Sequence, residues 1–145
     1  MYDHQPATDA YDHNLPIVAW RNSTDPAVFT SYHSSDQKPC IYMGSSGSDY
    51  RYFDATAASV VGWHHVVFTY TYDDITTSAF YVDGVSQSVS STVVDDKDVT
   101  DRCRIGRAGL RYYQGSMGLV RMYDRALSVA EILDNYQKTK GRFGH

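Results

Sequence analysis

The chain has 145 residues, of which 42% are hydrophobic and 14% aromatic, so it can bury the core of one domain and is not a disordered tail. Its 17 acidic side chains outnumber 13 basic ones, and a net charge of −4 without a basic block lacks the electrostatic footprint of a duplex-binding protein. No apolar run approaches the roughly 20 residues that span a bilayer, and we recognise no signal peptide before Arg21.

The first 16 residues are polar, and we expect them to form an N-terminal arm ahead of one domain over residues 17–145. From residue 17 onward, short apolar runs alternate with segments rich in Ser, Asp and Gly. Strands of this length, separated by polar turns, predict antiparallel sheets in a sandwich or a barrel. The runs lie at residues 17–20, 27–32, 39–43 and 50–53.

Residues 63–72 form the clearest strand, because they are rich in Val, Phe, Thr and Tyr and contain neither Gly nor Pro. Alternation places Trp63 and His65 on one face and His64 on the other. Both faces are partly apolar, as expected for an inner strand of a sandwich.

The returning strand is predicted at residues 78–82. Asp83-Gly84 then predicts a type I′ hairpin turn, since Gly tolerates the positive φ that the turn needs. Residues 85–89 follow as the partner strand of this hairpin.

Two further short strands are predicted at residues 103–106 and 117–123, and the apolar pattern then becomes helical. Ser128 and Glu131 have the spacing of a capping box, in which each side chain satisfies a free backbone N–H of the first helical turn. We therefore expect a short helix, with Gly141 just past its end. Its apolar face consists of Val129, Ile132, Leu133 and Tyr136.

Three segments of the chain, in the order in which they occur, resemble the sequence motifs of one protein family. Residues 62–70 (GWHHVVFTY) and 80–84 (FYVDG) resemble the W-H-H-V and Y-V-D-G core of laminin G-like domains in the concanavalin A-like superfamily. The resemblance extends over about residues 60–137 and implies a jelly-roll sandwich of two antiparallel sheets with one short C-terminal helix. The family's ending, I-G … F-x-G-x-I-D-x-V-R-I-Y-D-R-A-L-S-x-x-E-I, is matched by residues 104–106, 113–117, 120–128 and 131–132.

The resemblance also implies a module of extracellular or surface proteins that binds a glycan or a protein and often holds calcium, although some families with this fold are glycoside hydrolases or lyases. Two departures stand out. Gly118 occupies the position of the family's usual Asp, and the family's opening strands are not recognisable before residue 17. Because a missing strand would expose an unpaired sheet edge, we expect residues 1–16 or a strand of another chain to fill it.

Catalytic residues are scarce in this sequence. Glu131 is the single Glu, and the capping box explains it without chemistry. Hydrolases on this fold commonly use an E-x-D-x-x-E motif, which the sequence lacks, and the Asp pairs at 73–74 and 95–96 lie in predicted loops with nothing to raise a pKa. His64 and His65 point to opposite faces of one strand, so they cannot both reach one metal or substrate. We therefore expect a protein that is not an enzyme.

The densest acidic cluster lies in the predicted loop of residues 90–102 and offers the oxygen ligands that calcium prefers. The same cluster also fits a solvated loop that keeps a β-protein soluble. If a cofactor binds, we expect Ca²⁺ here and no other. The candidate ligands are Asp95, Asp96, Asp98 and Asp101.

Exposed tyrosines are candidates for glycan recognition, since aromatic rings stack on sugar rings and the phenol adds a hydrogen-bonding group. Tyr112 and Tyr113 follow Arg111 in a predicted loop, and Tyr50 and Tyr52 share one face of a strand. These five residues are the candidate ligand-binding residues. The alternative is that the tyrosines pack on strand faces.

Cys40 and Cys103 both lie in strand-like contexts, so a disulfide and two buried free thiols remain open as alternatives. For the whole protein we expect an all-β jelly-roll β-sandwich that acts as a non-catalytic recognition module for a glycan or a surface protein. The alternative is a structural subunit of a surface layer, filament or virion that self-associates through a sheet edge. We expect no nucleic-acid partner, no membrane insertion, and an extracellular or surface-exposed location.

Overall fold

The structure is a computed structural model that describes residues 2–4, 14–21, 26–33, 38–46, 49–54, 62–70, 78–88, 102–108, 111–113 and 115–144. Within these ranges the backbone forms thirteen strands in antiparallel ladders and one helix, α1, at Val129–Lys140. The strands are β1 (Tyr2–His4), β2 (Asn14–Arg21), β3 (Pro26–His33), β4 (Lys38–Ser46), β5 (Asp49–Asp54), β6 (Trp63–His64), β7 (Val66–Thr69), β8 (Ala79–Val82), β9 (Val85–Ser86), β10 (Cys103–Ile105), β11 (Arg107–Ala108), β12 (Arg111–Tyr112) and β13 (Gly115–Met117).

One sheet has the strand order β10-β2-β3-β4-β5. Strands β2 to β5 follow one another as a meander, and β10 returns from later in the chain to pair with β2. The register places Ala19 opposite Phe29 on one side and opposite Arg104 on the other. Ala19 is fully buried, so this strand carries part of the core.

The other layer combines the ladders β13-β1-β6 and β7-β8-β9. They are joined through residues 63–69, because β6 pairs with β1 and β7 pairs with β8. His65 lies between the two short strands, and its carbonyl accepts a hydrogen bond from the N–H of Asp83 at 2.8 Å. This arrangement of antiparallel layers with one C-terminal helix is the predicted all-β jelly-roll sandwich.

Residues of the predicted N-terminal arm enter this second layer. In β1, Tyr2 lies opposite Met117 of β13 on one side and His64 of β6 on the other. Tyr2–His4 therefore fills a position between two strands that are far apart in the sequence. Because β2 begins at Asn14, the division of the chain at residue 16 stays a prediction.

The Asp83-Gly84 turn has the backbone that the sequence predicted. Asp83 has φ 52° and Gly84 has φ 79°, the two positive angles of a type I′ turn. The turn joins β8 to β9 with Val82 opposite Val85. Asp tolerates this left-handed conformation better than most residues, because its short polar side chain can form hydrogen bonds nearby.

Helix α1 begins with the predicted capping box, in which the Ser128 hydroxyl accepts from the N–H of Glu131 and the Glu131 carboxylate accepts from the N–H of Ser128. Ile132 and Thr139 are its buried residues. Val129 and Leu133 share the predicted apolar face but are exposed. Tyr136 is half-buried, so the predicted apolar face is covered in part, with Ile132 as its fully buried residue.

The buried part of the second layer centres on β8, which lies between β7 and β9. Phe80 is fully buried, and such burial contributes about 1.5–3 kcal/mol of stability for a side chain of this kind. Gly84 lies directly beneath the helix: a Cβ there would lie 3.1 Å from Leu133 Cδ1 and 3.3 Å from Tyr136 Cδ1. The helix is therefore packed onto the end of the β8–β9 hairpin.

Candidate functional site

The β11–β12 ladder lies beside the five-stranded sheet and follows β10 after one glycine. Gly106 has φ 71°, a left-handed conformation that reverses the chain at no steric cost to a residue without Cβ. Its N–H donates to the carbonyl of Ile17 at 2.7 Å, and its carbonyl accepts from the N–H of Tyr113 at 2.8 Å. These two hydrogen bonds fix the ladder to strand β2.

Tyr112 is the exposed aromatic residue of this ladder, with 55% of its surface accessible. It lies opposite Arg107 in the register, and the Arg107 Cζ atom is 5.4 Å from the centre of the Tyr112 ring. This separation is within the range of a cation–π interaction, which contributes about 0.5–1 kcal/mol at an exposed site. The pair therefore combines a solvent-facing ring with a positive charge on a short, hydrogen-bonded ladder.

The other predicted residues of this segment have different environments. Tyr113 is half-buried, and its N–H is committed to Gly106. Arg111 lies in β12 opposite Ala108, and its side chain falls outside the part of the structure that is described. Tyr112 is thus the predicted ligand-binding residue with an accessible ring in this segment.

Tyr50 and Tyr52 lie in β5, opposite Gly44 and Tyr42 of β4. Strand β5 ends the order of the described five-stranded sheet on one side, and β10 ends it on the other. The four intervening strand spacings amount to about 19 Å. The two groups of predicted tyrosines therefore lie toward opposite edges of the sheet and do not form one binding surface.

The predicted calcium ligands Asp95, Asp96, Asp98 and Asp101 lie outside the described residues. Among the residues that are described, no group of three or more His, Cys, Asp or Glu side chains is arranged to hold a metal ion. The calcium site stays a prediction.

A second polar constellation surrounds Asp83. One carboxylate oxygen, Oδ2, lies 2.8 Å from the Nδ1 atom of His64, and the other, Oδ1, accepts from the N–H of His65 at 2.8 Å. Because the left-handed backbone of Asp83 turns its side chain toward residues 64 and 65, one carboxylate joins the hairpin turn to the neighbouring strand. It connects the Y-V-D-G segment to the W-H-H-V segment.

The two histidines have different partners. His64 is buried against the Asp83 carboxylate, and the His65 ring lies 5.9 Å from the ring of Tyr136 in α1. Burial is the main cause that lowers the pKa of His65 from 6.5 to about 4, while the Asp83 carboxylate acts in the opposite direction. His65 is therefore a neutral side chain at physiological pH, packed between the sheet and the helix.

Glu131 is bound by Arg125 through both carboxylate oxygens, at 2.9 and 2.6 Å. The hydrogen bond from Arg125, together with those from Ser128, lowers the pKa of Glu131 from 4.5 to about 2. A general acid for glycoside hydrolysis needs the opposite shift. The arrangement therefore suits a helix cap, as predicted, and keeps this carboxylate ionised.

Cys103 is a free, exposed cysteine whose Sγ lies 3.9 Å from the Sδ of Met122. Partial burial raises the pKa of its thiol. Cys40 is on β4, three strand spacings from β10 and hence about 14 Å away. Since the Cα atoms of a disulfide lie within about 7 Å of each other, the structure excludes the pairing of these two cysteines.

Gly118 lies beneath an aromatic ring. A Cβ atom at this position would overlap the ring of Phe143, which packs against Trp63 with 4.8 Å between ring centres. The Phe143 ring thus occupies the space that the side chain of the family's usual Asp would need. This contact gives a physical reason for the departure from the family pattern at Gly118.

Arg107 is a residue that the sequence reasoning missed. A signal was present, since four arginines fall at residues 102, 104, 107 and 111. Its position opposite Tyr112 depends on the Gly106 turn and on the register of β11 with β12, which the local sequence pattern did not predict.

Comparison with known proteins agrees with this architecture. A laminin G family model, described as the concanavalin A-like lectin/glucanases superfamily, matches residues 5–133. Searches of curated proteins and of solved structures find no significant match. The family match spans the meander, the Trp63 strand, the Asp83-Gly84 hairpin and the start of α1. The chain therefore belongs to the concanavalin A-like lectin/glucanase superfamily, as a member of its laminin G-like branch.

Proposed function

We propose that this protein is a non-catalytic recognition module that binds a glycan through the β11–β12 ladder. A protein ligand bound at the same surface is the alternative within this function. Membership of the laminin G-like family supports a carbohydrate- or protein-binding module. The observation that carries the proposal is Tyr112, a residue that is 55% exposed although its backbone is held in a ladder.

The geometry suits the stacking of a sugar ring. An exposed aromatic ring binds the apolar face of a pyranose when solvent is displaced from both surfaces. Since Gly106 is hydrogen-bonded to Ile17 and Tyr113, the ladder is anchored before a ligand arrives, which lowers the entropy cost of binding.

The state of two described carboxylates, Asp83 and Glu131, supports a role without catalysis. Asp83 is engaged by His64 and His65, and Glu131 by Arg125 and Ser128. Glycoside hydrolysis needs one carboxylic acid that stays protonated near neutral pH beside a second carboxylate. The pKa of Glu131, at about 2, is shifted away from that requirement.

An extracellular or surface-exposed location belongs to the same proposal and rests on the family. Within the described part of the chain, α1 is too short and too polar to cross a bilayer, and no other helix qualifies. The calcium ion expected at Asp95, Asp96, Asp98 and Asp101 is likewise a proposal that rests on the sequence.

A glycan array with matched variants tests the proposal. Tyr112→Ala should reduce the signal of the best glycan about tenfold, the loss expected if stacking of the sugar contributes about 1.4 kcal/mol. Tyr123→Ala is the control, since Tyr123 is a 49% exposed tyrosine outside the ladder sequence, and its hydroxyl accepts from Asn135 of α1. No glycan signal with Ca²⁺ present would contradict glycan binding and leave a protein ligand, whereas an equal loss for both variants would contradict the site at Tyr112.

The second candidate function is assembly through a sheet edge. It is favoured by β5, a six-residue strand that ends the order of the described five-stranded sheet. Strand ends of this kind pair with other chains unless they are protected. Size-exclusion chromatography with light scattering separates the two functions: a monomer that binds sugar favours recognition, and a polymer that forms as concentration rises favours assembly.

A further inference from the structure

His65 lies where the second layer contacts helix α1. Its backbone is tied to the hairpin turn, since its carbonyl accepts from the N–H of Asp83 and its own N–H donates to Asp83 Oδ1, each at 2.8 Å. On the helix side, 5.9 Å separates the centre of its ring from that of the Tyr136 ring. The imidazole is therefore held against α1 by a backbone that the hairpin fixes in place.

The ring nitrogen Nδ1 of His65 is buried and has no hydrogen-bond partner among the described residues. A neutral imidazole carries one N–H, whereas the imidazolium carries two and therefore has a donor at Nδ1 whichever tautomer it forms from. A buried donor without an acceptor and a buried charge are both unfavourable. Protonation of His65 and docking of the helix therefore oppose each other.

The charged groups around His65 add to this opposition on balance. Burial is the main cause that lowers the pKa of His65 from 6.5 to about 4, and the positive charges of the amino terminus and of Arg121 lower it further. Asp83 acts in the opposite direction. Its Oδ1 atom already accepts from the N–H of His65, and its Oδ2 atom lies 2.8 Å from His64 Nδ1.

The side chains that α1 brings to this contact are Tyr136 and Lys140. Burial raises the pKa of the Tyr136 hydroxyl from its usual value of 10, so this side chain is neutral. The Lys140 Nζ atom lies 5.7 Å from the centre of the Tyr136 ring. These two side chains of the helix therefore supply no negative charge to an imidazolium at position 65.

Helix α1 and the strands beneath it are held in different ways. The buried residues of the helix are Ile132 and Thr139, and Val129 and Leu133 are exposed. Strands β7 and β8 are joined by an antiparallel backbone ladder that does not involve the helix. Since a helix of twelve residues is marginal on its own, α1 loses its backbone hydrogen bonds when it leaves the sheet, whereas the ladder keeps its own.

We propose that His65 is an acid-sensitive switch, in which a proton bound by its ring releases α1 from the β8–β9 hairpin while the strands stay paired. The proton comes from solvent and binds the lone pair of the neutral imidazole. The imidazolium is then hydrated, because departure of the helix opens Nδ1 to water. Neutral pH removes the proton and restores the docked helix. The switch does not depend on the proposed ligand site.

Hydrogen exchange of the full chain at pH 7.0 and pH 5.0, measured by mass spectrometry and corrected for intrinsic exchange rates, tests this. If the pKa of His65 returns to 6.5 in the released state, the opening constant of α1 should rise about 20-fold between these pH values. The amides of residues 133–139 report on α1, and those of β8 report on the strands. At pH 5.0 we expect the opening constant of α1 to exceed that of β8 at least about tenfold.

Variants identify the group that binds the proton. His65→Gln and His65→Phe both remove the titrating ring, and Phe keeps an aromatic ring against Tyr136. In each, the opening constant of α1 should change by less than about twofold between the two pH values. His33→Gln is the control, since it removes an imidazole from β3 of the five-stranded sheet and should leave the response of α1 intact.

Three results would overturn the inference. An opening constant of α1 that is the same at pH 7.0 and pH 5.0 shows that acid does not release the helix. Equal opening constants for α1 and β8 at pH 5.0 show that the helix opens only when the whole chain unfolds, and both of these results come from the wild-type protein alone. An undiminished acid response in a folded His65 variant assigns the proton to another group.

Discussion

Asp83 shows how much one side chain does in this structure. Its left-handed backbone is required by the hairpin turn, and its carboxylate receives His64 Nδ1 and the N–H of His65, each at 2.8 Å. Turn formation and strand positioning therefore depend on the same residue. Gly would satisfy the turn alone, and a long acidic residue would not suit the turn.

Substitution of Asp83 separates these two contributions. We expect Asp83→Ala to lower the free energy of unfolding by about 2–4 kcal/mol, because it removes hydrogen bonds to a charged acceptor and places Ala at positive φ. Asp83→Gly relieves the backbone strain and should cost about 1–2 kcal/mol less than Ala does. Urea denaturation measures both values, and unchanged midpoints would refute the role assigned to the carboxylate.

His65 predicts a pH dependence of stability. Its pKa is about 4 in the folded protein against 6.5 in the unfolded chain. Between these values the unfolded chain binds the proton and the folded protein does not, so stability falls as the pH decreases from 6.5 toward 4 and is fully present above 6.5.

Urea midpoints at pH 7.0, 6.0 and 5.0 measure this loss, and His65→Gln should flatten the curve in that interval. Glu131 is not responsible at these three pH values, because its pKa is lowered from 4.5 to about 2 and its stabilising effect is lost as the pH falls from 4.5 toward 2. An equally steep curve for His65→Gln would assign the effect to another group.

At the scale of elements, the informative contact joins α1 to the β8–β9 hairpin. The capping box sets where the helix begins, but its docking depends on Ile132, which is fully buried, and on the bare backbone of Gly84 beneath the helix. Val129 and Leu133 lie on the sequence's apolar face and stay exposed. Helical periodicity indicates which residues share a face, but the neighbouring surface determines which of them are covered.

Gly84→Ala tests this packing. A Cβ at Gly84 would approach Leu133 and Tyr136 to 3.1 and 3.3 Å, so we expect a loss of about 2–4 kcal/mol from crowding and backbone strain together. Gly144→Ala is the matched control, since Gly144 has a similar φ of 85° with nothing within 4 Å of the added atom. Thermal unfolding of both variants isolates the contact, and equal shifts in Tm would show that strain alone matters.

At the scale of the whole molecule, the candidate surfaces lie at opposite edges of one sheet. Tyr50 and Tyr52 lie on one side of the five-stranded sheet, and the ladder with Arg107 and Tyr112 lies on the other. Strand β1 connects β6 and β13, so the N-terminal residues are part of the fold that holds the second layer together.

Calcium binding at the predicted site would change the stability of the whole molecule, because an ion that binds only the folded state stabilises that state. If Asp95, Asp96, Asp98 and Asp101 hold Ca²⁺, adding the ion at about 100 times its Kd should raise stability by about 2.7 kcal/mol, and EDTA should reverse the change. Differential scanning calorimetry measures the shift in Tm. The double variant Asp96→Asn/Asp98→Asn should abolish it, and a wild-type Tm indifferent to both Ca²⁺ and EDTA would exclude the site.

The features that the local sequence predicted correctly are those controlled by neighbouring residues. The type I′ turn at Asp83-Gly84 and the capping box of Ser128 and Glu131 follow from backbone preferences and hydrogen bonds within three residues. The resemblance to the family motifs predicted the β-sandwich. Tertiary structure decided the rest: β1 between β6 and β13, Arg107 opposite Tyr112, and Phe143 over Gly118. Each of these joins residues through strand register or chain reversal, which depends on the free energy of the whole fold and which no short segment specifies.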